Sequence, residues 1–530
     1  MSEKVINFHP SASCGREFAA LLAECRQADC PVKIIFDRAV YHFDKSDCRE
    51  VCQQVSNTLV YDGIEHCRHA GIWFDSLHDL TVCGNGAQLV FNGDLTPVII
   101  SGCSNIRLED FSIDFVRRRV SEMTLQSIDG CRAVFSVHPD CPYRITEDYL
   151  NWVNPDGHLE DRESFQVVQC AAPGNIRNLR TFVNPIREAL SCREIAAGTV
   201  EFTYPEPLAA EVGSVWQFRD PTRNEVGIFL NQCRNTVLDK MHLKFTPGLG
   251  IVAQMCENID ICRHTHAPGT GSGLVCSAFA DCIQISSCRG QVNITGGFFS
   301  GAQDDPINIH GTYLKLISAS GKRLQLRFGH QETWGWLPFV PGDEIAVTAV
   351  DSLERGERRK VTGAIQRDLL NIELEIDEPL TGVYPENIAV IENLSAYPDV
   401  LVADNIFECY PTRGLLLSSA GKCVVKNNCF RHTSPSAGIL IAGDAGSWFE
   451  SGGVTDVLIS GNTFESCSNS VIAIRPENRI DGHVHSGIKI SGNDFINCSG
   501  KYLEYRGIRD IVHDLPPDKV IDKNGISQSC

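Results

Sequence analysis

Three aspartates carry the first chemical signal in this sequence. Asp304 and Asp305 stand side by side in Gln303-Asp304-Asp305-Pro306-Ile307-Asn308-Ile309-His310-Gly311, and 24 residues before Asp305 the chain writes a near copy, Asp281-Cys282-Ile283-Gln284-Ile285. If each acid opens a strand and the strands stack at the ~4.8 Å spacing of a sheet, the three carboxylates converge on one patch. Hydrolysis of a glycoside needs one carboxylic acid to protonate the leaving oxygen and one carboxylate to activate water or attack the sugar. Adjacent turns put Asp281 roughly 5–10 Å from the pair, which overlaps the ~6.5–9.5 Å of inverting enzymes better than the shorter retaining distance. Neighbouring residues of a regular strand face opposite sides, so both Asp304 and Asp305 reach one cleft only if the chain bends there, and Pro306 supplies a reason for a bend. Two acids sharing a cleft repel, which raises one pKa and suits holding a water between them. A single Asp before a strand is more often a turn cap that accepts backbone N–H groups. Three acids repeated in register favour a site.

The elements that must position them read as a repeat. Cys103-Ser104-Asn105-Ile106, Cys233-Arg234-Asn235-Thr236-Val237, Cys256-Glu257-Asn258-Ile259 and Cys288-Arg289-Gly290-Gln291-Val292 each look like a turn followed by a β-branched strand, and Cys233 to Cys256 is a step of 23 residues. That is about one coil of a parallel β-helix. Downstream the signature becomes Asn-x-Phe, at Asn405, Asn428, Asn462 and Asn493, with steps of 23, 34 and 31 that predict turns carrying loops of varying length. The repeat lapses twice, between about 117 and 220 and again after His310, where Gly213-Ser214-Val215-Trp216 and Gly342-Asp343-Glu344-Ile345 read as hairpin turns into alternating strands. Each lapse is expected to be a small inserted antiparallel β-barrel. The expected organisation is therefore all-β: an N-terminal cap and first turns over 1–116, a barrel over 117–220, acid-bearing coil over 221–311, a second barrel over 312–395 and C-terminal turns over 396–530. A helical pattern from Glu17 to Cys25, followed by the strand Val32-Lys33-Ile34-Ile35-Phe36-Asp37, would plug the open end of the coil.

Composition narrows the partners. With 47 basic against 66 acidic side chains the chain carries −19, which repels phosphate backbones and acidic lipid, so no nucleic-acid or membrane partner is expected. A neutral ligand fits better. No apolar run approaches the ~18 residues of a membrane span. The start, Met1-Ser2-Glu3-Lys4-Val5, lacks the layout of a signal peptide, so a cytoplasmic location is expected unless an export signal is missing from the sequence. Most of the 24 cysteines are expected to be reduced, buried and small. Cys262, His264 and His266 look like metal ligands on paper but lack a fourth ligand at ordinary zinc spacing, so no metal and no cofactor is expected. Asn293-Ile294-Thr295 matches a glycosylation acceptor but falls in an expected strand.

The run from Asp304 to Tyr313 resembles the signature of glycoside hydrolase family 110, the α-1,3-galactosidases. So do Arg413-Gly414-Leu415-Leu416-Leu417, Asn427-Asn428-Cys429-Phe430 and, most specifically, the block from Ile439 through Gly443-Asp444-Ala445-Gly446-Ser447-Trp448-Phe449-Glu450 to Val454. The resemblance implies a right-handed parallel β-helix with two β-barrel inserts. It also implies exo-acting, metal-independent, inverting removal of terminal α-1,3-linked galactose, as on blood group B-type and linear α-galactosyl structures. By that resemblance Asp281 is the general acid, and Asp304 and Asp305 form the base side. Asp444, Trp448 and Glu450 are candidate sugar contacts, because an aromatic beside two acids suits a sugar's apolar face and its hydroxyls. Asn308 and His310 join them, His310 bonding either a sugar hydroxyl or a backbone carbonyl, with the nearby acids favouring the first. The rival readings are a pectate-lyase-like or polygalacturonase-like enzyme, for which the acid-bearing turns look poor in Arg and Lys, and a non-catalytic carbohydrate-binding β-helix.

Overall fold

The computed structural model describes residues 3–58, 67–159, 167–219, 222–433 and 436–524. Parallel strands stack in three columns to form a right-handed β-helix. One column runs from Lys4–Phe8 and Val32–Phe36 through Arg234–Asp239, Glu257–Cys262 and Arg289–Thr295 to Ile511–His513. A second joins it through the long strands His78–Asn92 and Ser104–Phe115, which run across both faces. The third holds the strands that follow the acids, Ile283–Ser286 and Ile307–Thr312, between Leu249–Gln254 and Leu415–Ser418. Ile283, Ile285, Ile307, Ile309, Leu415 and Leu417 are buried. Alternation along these strands sends Gln284 and Asn308 to the face opposite the isoleucines, while the acids lie ahead of the strands, in the turn.

The repeats seen in sequence have physical reasons. The first three Asn of the Asn-x-Phe signature each donate through Nδ2 to the Oδ1 of the Asn one turn on, at 3.0, 2.9 and 2.9 Å for Asn405, Asn428 and Asn462. The same amides donate to carbonyls of strands inside the coil, Ile294 for Asn405 and Val402 for Asn428, so a buried polar row is satisfied at every turn. Beside it Phe299, Phe407, Phe430, Phe464 and Phe495 stack with centroids 4.7–5.2 Å apart. Cys103, Cys233, Cys256 and Cys288 are buried at the other turn, where the thiols of Cys233 and Cys288 donate to the Ile100 and Ala253 carbonyls and the sulfurs of Cys103 and Cys256 accept the backbone N–H groups of Leu77 and Cys233, both at 3.3 Å. Cys52 and Cys67 form a disulfide, and the other described cysteines are free.

The helix Cys14–Cys25 closes the first turn, with Phe18 packed on Phe8 and Phe36 at 5.0 and 5.1 Å. The two inserts differ in kind. The second, built from Leu314–Ser320, Arg323–Phe328, Glu344–Ala349, Arg355–Gln366, Asn371–Ile376 and Ala389–Asn393, closes into a six-stranded barrel. The first is a seven-stranded antiparallel sheet with a separate hairpin. Its edge strands, Asn178–Thr181 and Ser191–Ala196, are not paired with each other among the described residues, so there it is an open sheet rather than a closed barrel. The expected boundary between residues 220 and 221 lies outside the described residues.

Candidate active site

The two acid-bearing turns are copies in space as well as in sequence. Ala278 bridges Ala302 and Ile283 pairs with Ile307, so the offset of 24 holds through the turn and Asp281 sits beside Asp305. The same position is Leu249 on the turn before and Arg413 on the turn after. One column of the coil thus reads Leu, Asp, Asp, Arg at a spacing of ~4.8 Å. Asp304 stands where the earlier turn has Ala280. The chain bends at Gln303 and Asp304 and enters its strand only at Ile307, and this lets both acids line one pocket together with Asp281. Asn57, Arg180, Arg223, Asn308, Arg413, Trp448 and Glu450 complete a cavity of about 130 Å³.

Three surroundings give the acids three different characters. Burial pushes the Asp281 carboxyl well above the usual range, and the charges of Asp304 and Asp305 push it further against the pull of Arg223. Burial also acts on Asp304, but Arg180, Arg413, Arg223 and Arg219 outweigh it and hold the group below its ordinary value. Asp305 is raised to about 6 by burial, with Arg413 lowering it and Asp304 raising it. Its two oxygens are both taken by Arg413, Oδ1 by the backbone N–H at 2.9 Å and Oδ2 by the guanidinium at 2.6 Å. The Asp304 side chain keeps 20 % of its surface open, that of Asp305 only 1 %. The pocket therefore favours the protonated form at Asp281 and the ionised form at the more accessible Asp304.

Not every residue singled out from sequence reaches the cavity. Asn308 does, donating to Glu450 at 3.3 Å while its Oδ1 has no protein partner among the described residues. Glu450 Oε1 also accepts from Asn57 at 3.3 Å. Trp448 is 38 % exposed on the rim, its ring 4.2 Å from that of His330 and 5.5 Å from the Arg223 guanidinium. His310 is different. It lies buried behind Glu450, and its Nδ1 donates to the Gly311 carbonyl at 2.7 Å, so the backbone rather than a sugar takes this proton. Asp444 also stands outside the lining residues: its carboxylate accepts the backbone N–H groups of Gly446, Ser447 and Trp448 and shapes the loop that presents the indole. His264 and His266 are buried in the core of the coil, with His264 5.7 Å from Phe299. Asn293 lies within the strand Arg289–Thr295.

Though the acid-bearing turns themselves look poor in Arg and Lys, three arginines from elsewhere in the chain line the pocket. Arg180 arrives from the first insert and meets Asp304 at 2.8 Å. Arg223 follows that insert and bonds Glu332 of the second. Arg413 follows the second insert. Each is engaged by a carboxylate, so none is a free cation awaiting an anionic sugar or a neutral base awaiting a proton.

A carboxyl pushed toward its protonated form and one held toward its ionised form, on neighbouring turns of a parallel β-helix behind an aromatic rim, fit a glycoside hydrolase, the class to which the relatives belong. The sequence is 33 % identical to an α-1,3-galactosidase A of Bacteroides thetaiotaomicron over 93 % of this chain and 87 % of that protein. It is 29 % identical to an α-1,3-galactosidase B of Phocaeicola vulgatus over 84 % of this chain and 79 % of that protein. The chain matches none of the protein-family models against which it was compared. Among solved structures, an exopolygalacturonase from Thermotoga maritima overlays with a TM-score of 0.37 at 11 % identity, covering 99 % of this chain and 93 % of that one, a likeness too loose to carry an argument. The chain belongs to glycoside hydrolase family 110, the α-1,3-galactosidases.

Proposed function

We propose that this chain releases a terminal α-1,3-linked galactose from a glycan by a single displacement with inversion. Asp281 protonates the glycosidic oxygen, and Asp304 removes a proton from the water that attacks C1 from the opposite face. One contrast carries the assignment: in one pocket burial raises the Asp281 carboxyl and favours its protonated form, while guanidinium groups lower Asp304 and favour its ionised form. Asp304 is preferred to Asp305 for the water because both oxygens of Asp305 are committed to Arg413. Asp305 then fixes Arg413 and lends charge. A cavity of about 130 Å³ is well under the roughly 300–1,000 Å³ of sites that enclose drug-sized ligands, which suits one terminal sugar and hence exo-action. Asn308, Glu450 and Asn57 supply bonds for its hydroxyls, and the Trp448 ring supplies an apolar face.

The test is incubation with α-1,3-galactosyl oligosaccharides of the linear and blood group B types, with polygalacturonate as control, with and without chelator. Galactose is expected from the first two whether or not chelator is present. Proton NMR of the earliest product is expected to show the β-anomer. Early α-galactose would rule out the single displacement, and unsaturated uronide would favour a lyase.

A further inference from the structure

The first insert lies against both acid-bearing turns, and its contacts there follow a pattern. In its sheet Arg180 and Gln217 stand in one cross-strand row, each opposite Gln169 on the strand between them. That row meets two consecutive residues of the catalytic bend. Gln217 Oε1 accepts from Gln303 at 2.9 Å, and the Arg180 guanidinium donates to Asp304 Oδ2 at 2.8 Å. On the neighbouring turn Glu122 accepts the backbone N–H groups of Val275 and Cys276, and Arg219 donates to the Phe279 carbonyl. Glu122, Gln217 and Arg219 are buried and hold backbone or a neutral amide. Arg180 is half exposed and holds a reacting carboxylate.

We propose that Arg180 is a positioning residue for Asp304: its guanidinium fixes Oδ2, turns the carboxylate toward the pocket and keeps it charged, so the first insert completes the water-activating half of the site. The inference rests on Asp304 being the water-activating carboxylate. The charged groups facing Asp304 come from every side of the pocket. Arg219 and Arg180 belong to the insert, Arg223 to the segment after it, Arg413 to the following turn, and Asp281, Asp305 and Glu450 oppose them. Arg413 is committed to Asp305 and Arg223 to Glu332, and Arg219 is spent on a carbonyl. Among the described residues Arg180 is thus the cation in direct contact with Asp304. Removing it lets Asp304 take a proton at higher pH, and a base that must be ionised then fails earlier on acidification.

Arg180→Met and Arg180→Lys separate this role from simple support of the fold, because a half-exposed side chain can be lost without unfolding the sheet. The acid limb of kcat/KM for an aryl α-galactoside is expected to move up by about one pH unit in Arg180→Met, a modest value for a partly exposed pair. It should return most of the way in Arg180→Lys, with unchanged thermal melting. In 13C-aspartate-labelled protein the resonance that vanishes in Asp304→Asn should titrate higher in Arg180→Met, with no substrate present. A profile and a titration that superimpose on wild type would overturn the inference, even with a uniformly lower rate. If the Asp304 titration shifts but the rate limb does not, the assignment of Asp304 as the base fails instead.

Discussion

Asp281 and Asp305 occupy the same place on successive turns, yet the coil gives them opposite neighbours. Asp281 has Leu249 on one side and a carboxylate on the other; Asp305 has a carboxylate on one side and Arg413 on the other. Asp304 has no counterpart before it, because Ala280 fills that position. The turns share backbone pairing, burial and a starting residue type. What separates them is the charge supplied by the next turn and by the first insert. In a solenoid the repeat decides where an acid stands, and the non-repeating pieces decide which proton it keeps.

The strongest way to break this comparison is to neutralise each acid alone. Asp281→Asn and Asp304→Asn are each expected to lower kcat on a natural disaccharide by ~10²–10⁴-fold, the usual worth of a placed general acid or base. They should then part company. A nitrophenyl leaving group needs little protonation, so it should recover much of the rate for Asp281→Asn and little for Asp304→Asn. Steady-state rates on the two substrates would show it, and equal rescue of both variants would erase the division of labour.

Stability offers a second contrast. Asp281 has its folded pKa raised by burial and by the neighbouring Asp304 and Asp305. Above the unfolded value of ~3.9 the unfolded chain releases a proton that the folded chain still holds, so this residue makes stability fall as pH rises toward the folded pKa. Asp281→Asn removes that slope. The variant should match wild type near pH 3 and exceed it at pH 7, by ~1.4 kcal/mol for each unit separating the two pKa values. Denaturant melts at the two pH values measure this. Asp304, with its pKa lowered, has the opposite sign: its stabilisation is complete above the unfolded pKa and is lost as pH falls through the folded one, so Asp304→Asn should cost stability at pH 7. If both variants lose stability at neutral pH, the two turns are electrically alike and the comparison fails.

A third contrast lies in the Asp305–Arg413 pair, where one partner is almost fully buried. Arg413→Met strands a buried acid, and the cost at pH 7 is expected to be ~3 kcal/mol, shrinking at pH 5 where Asp305 takes a proton instead. Chemical denaturation at both pH values checks the shrinkage.

The acids and their register were legible because a step of 24 residues is local, and nothing intervenes between Asp281 and Asp305. Asn405, Asn428, Asn462 and Asn493 were legible for the same reason, each ladder bond being made to the next turn. Arg180, Arg223 and Arg413 were not. They reach the pocket from the first insert, from the segment behind it and from beyond the second insert, and no spacing rule links an arginine in a hairpin to an aspartate 124 residues later. The shape of the first insert was hidden likewise: glycine turns announce hairpins, but whether edge strands meet depends on pairings far apart in sequence. His310 and Asp444 carried the right residue types for sugar contact. Only the placement of nearby N–H and C=O groups gave both to the backbone instead.

The smallest expected effect concerns the rim, which in the proposed reading differs from the acid-bearing turns in touching the sugar without entering the chemistry. Trp448→Ala should raise KM several-fold with kcat little changed, since stacking on a ring is worth ~0.5–1.5 kcal/mol and is felt equally before and during bond cleavage. Asp444 shapes the loop that carries Trp448, by accepting the N–H groups of Gly446, Ser447 and Trp448, and in the proposed reading it bears on substrate only through that loop. Asp444→Ala should therefore produce the same kind of change. If Asp444 acts through Trp448 alone, the double variant should be no worse than Trp448→Ala, a coupling that a double-mutant cycle on KM reads directly. Additive losses would mean that Asp444 meets the sugar itself. A fall in kcat with either variant would mean that the rim also sets the geometry of Asp281 and Asp304, and the separation between binding wall and reacting turns would go with it.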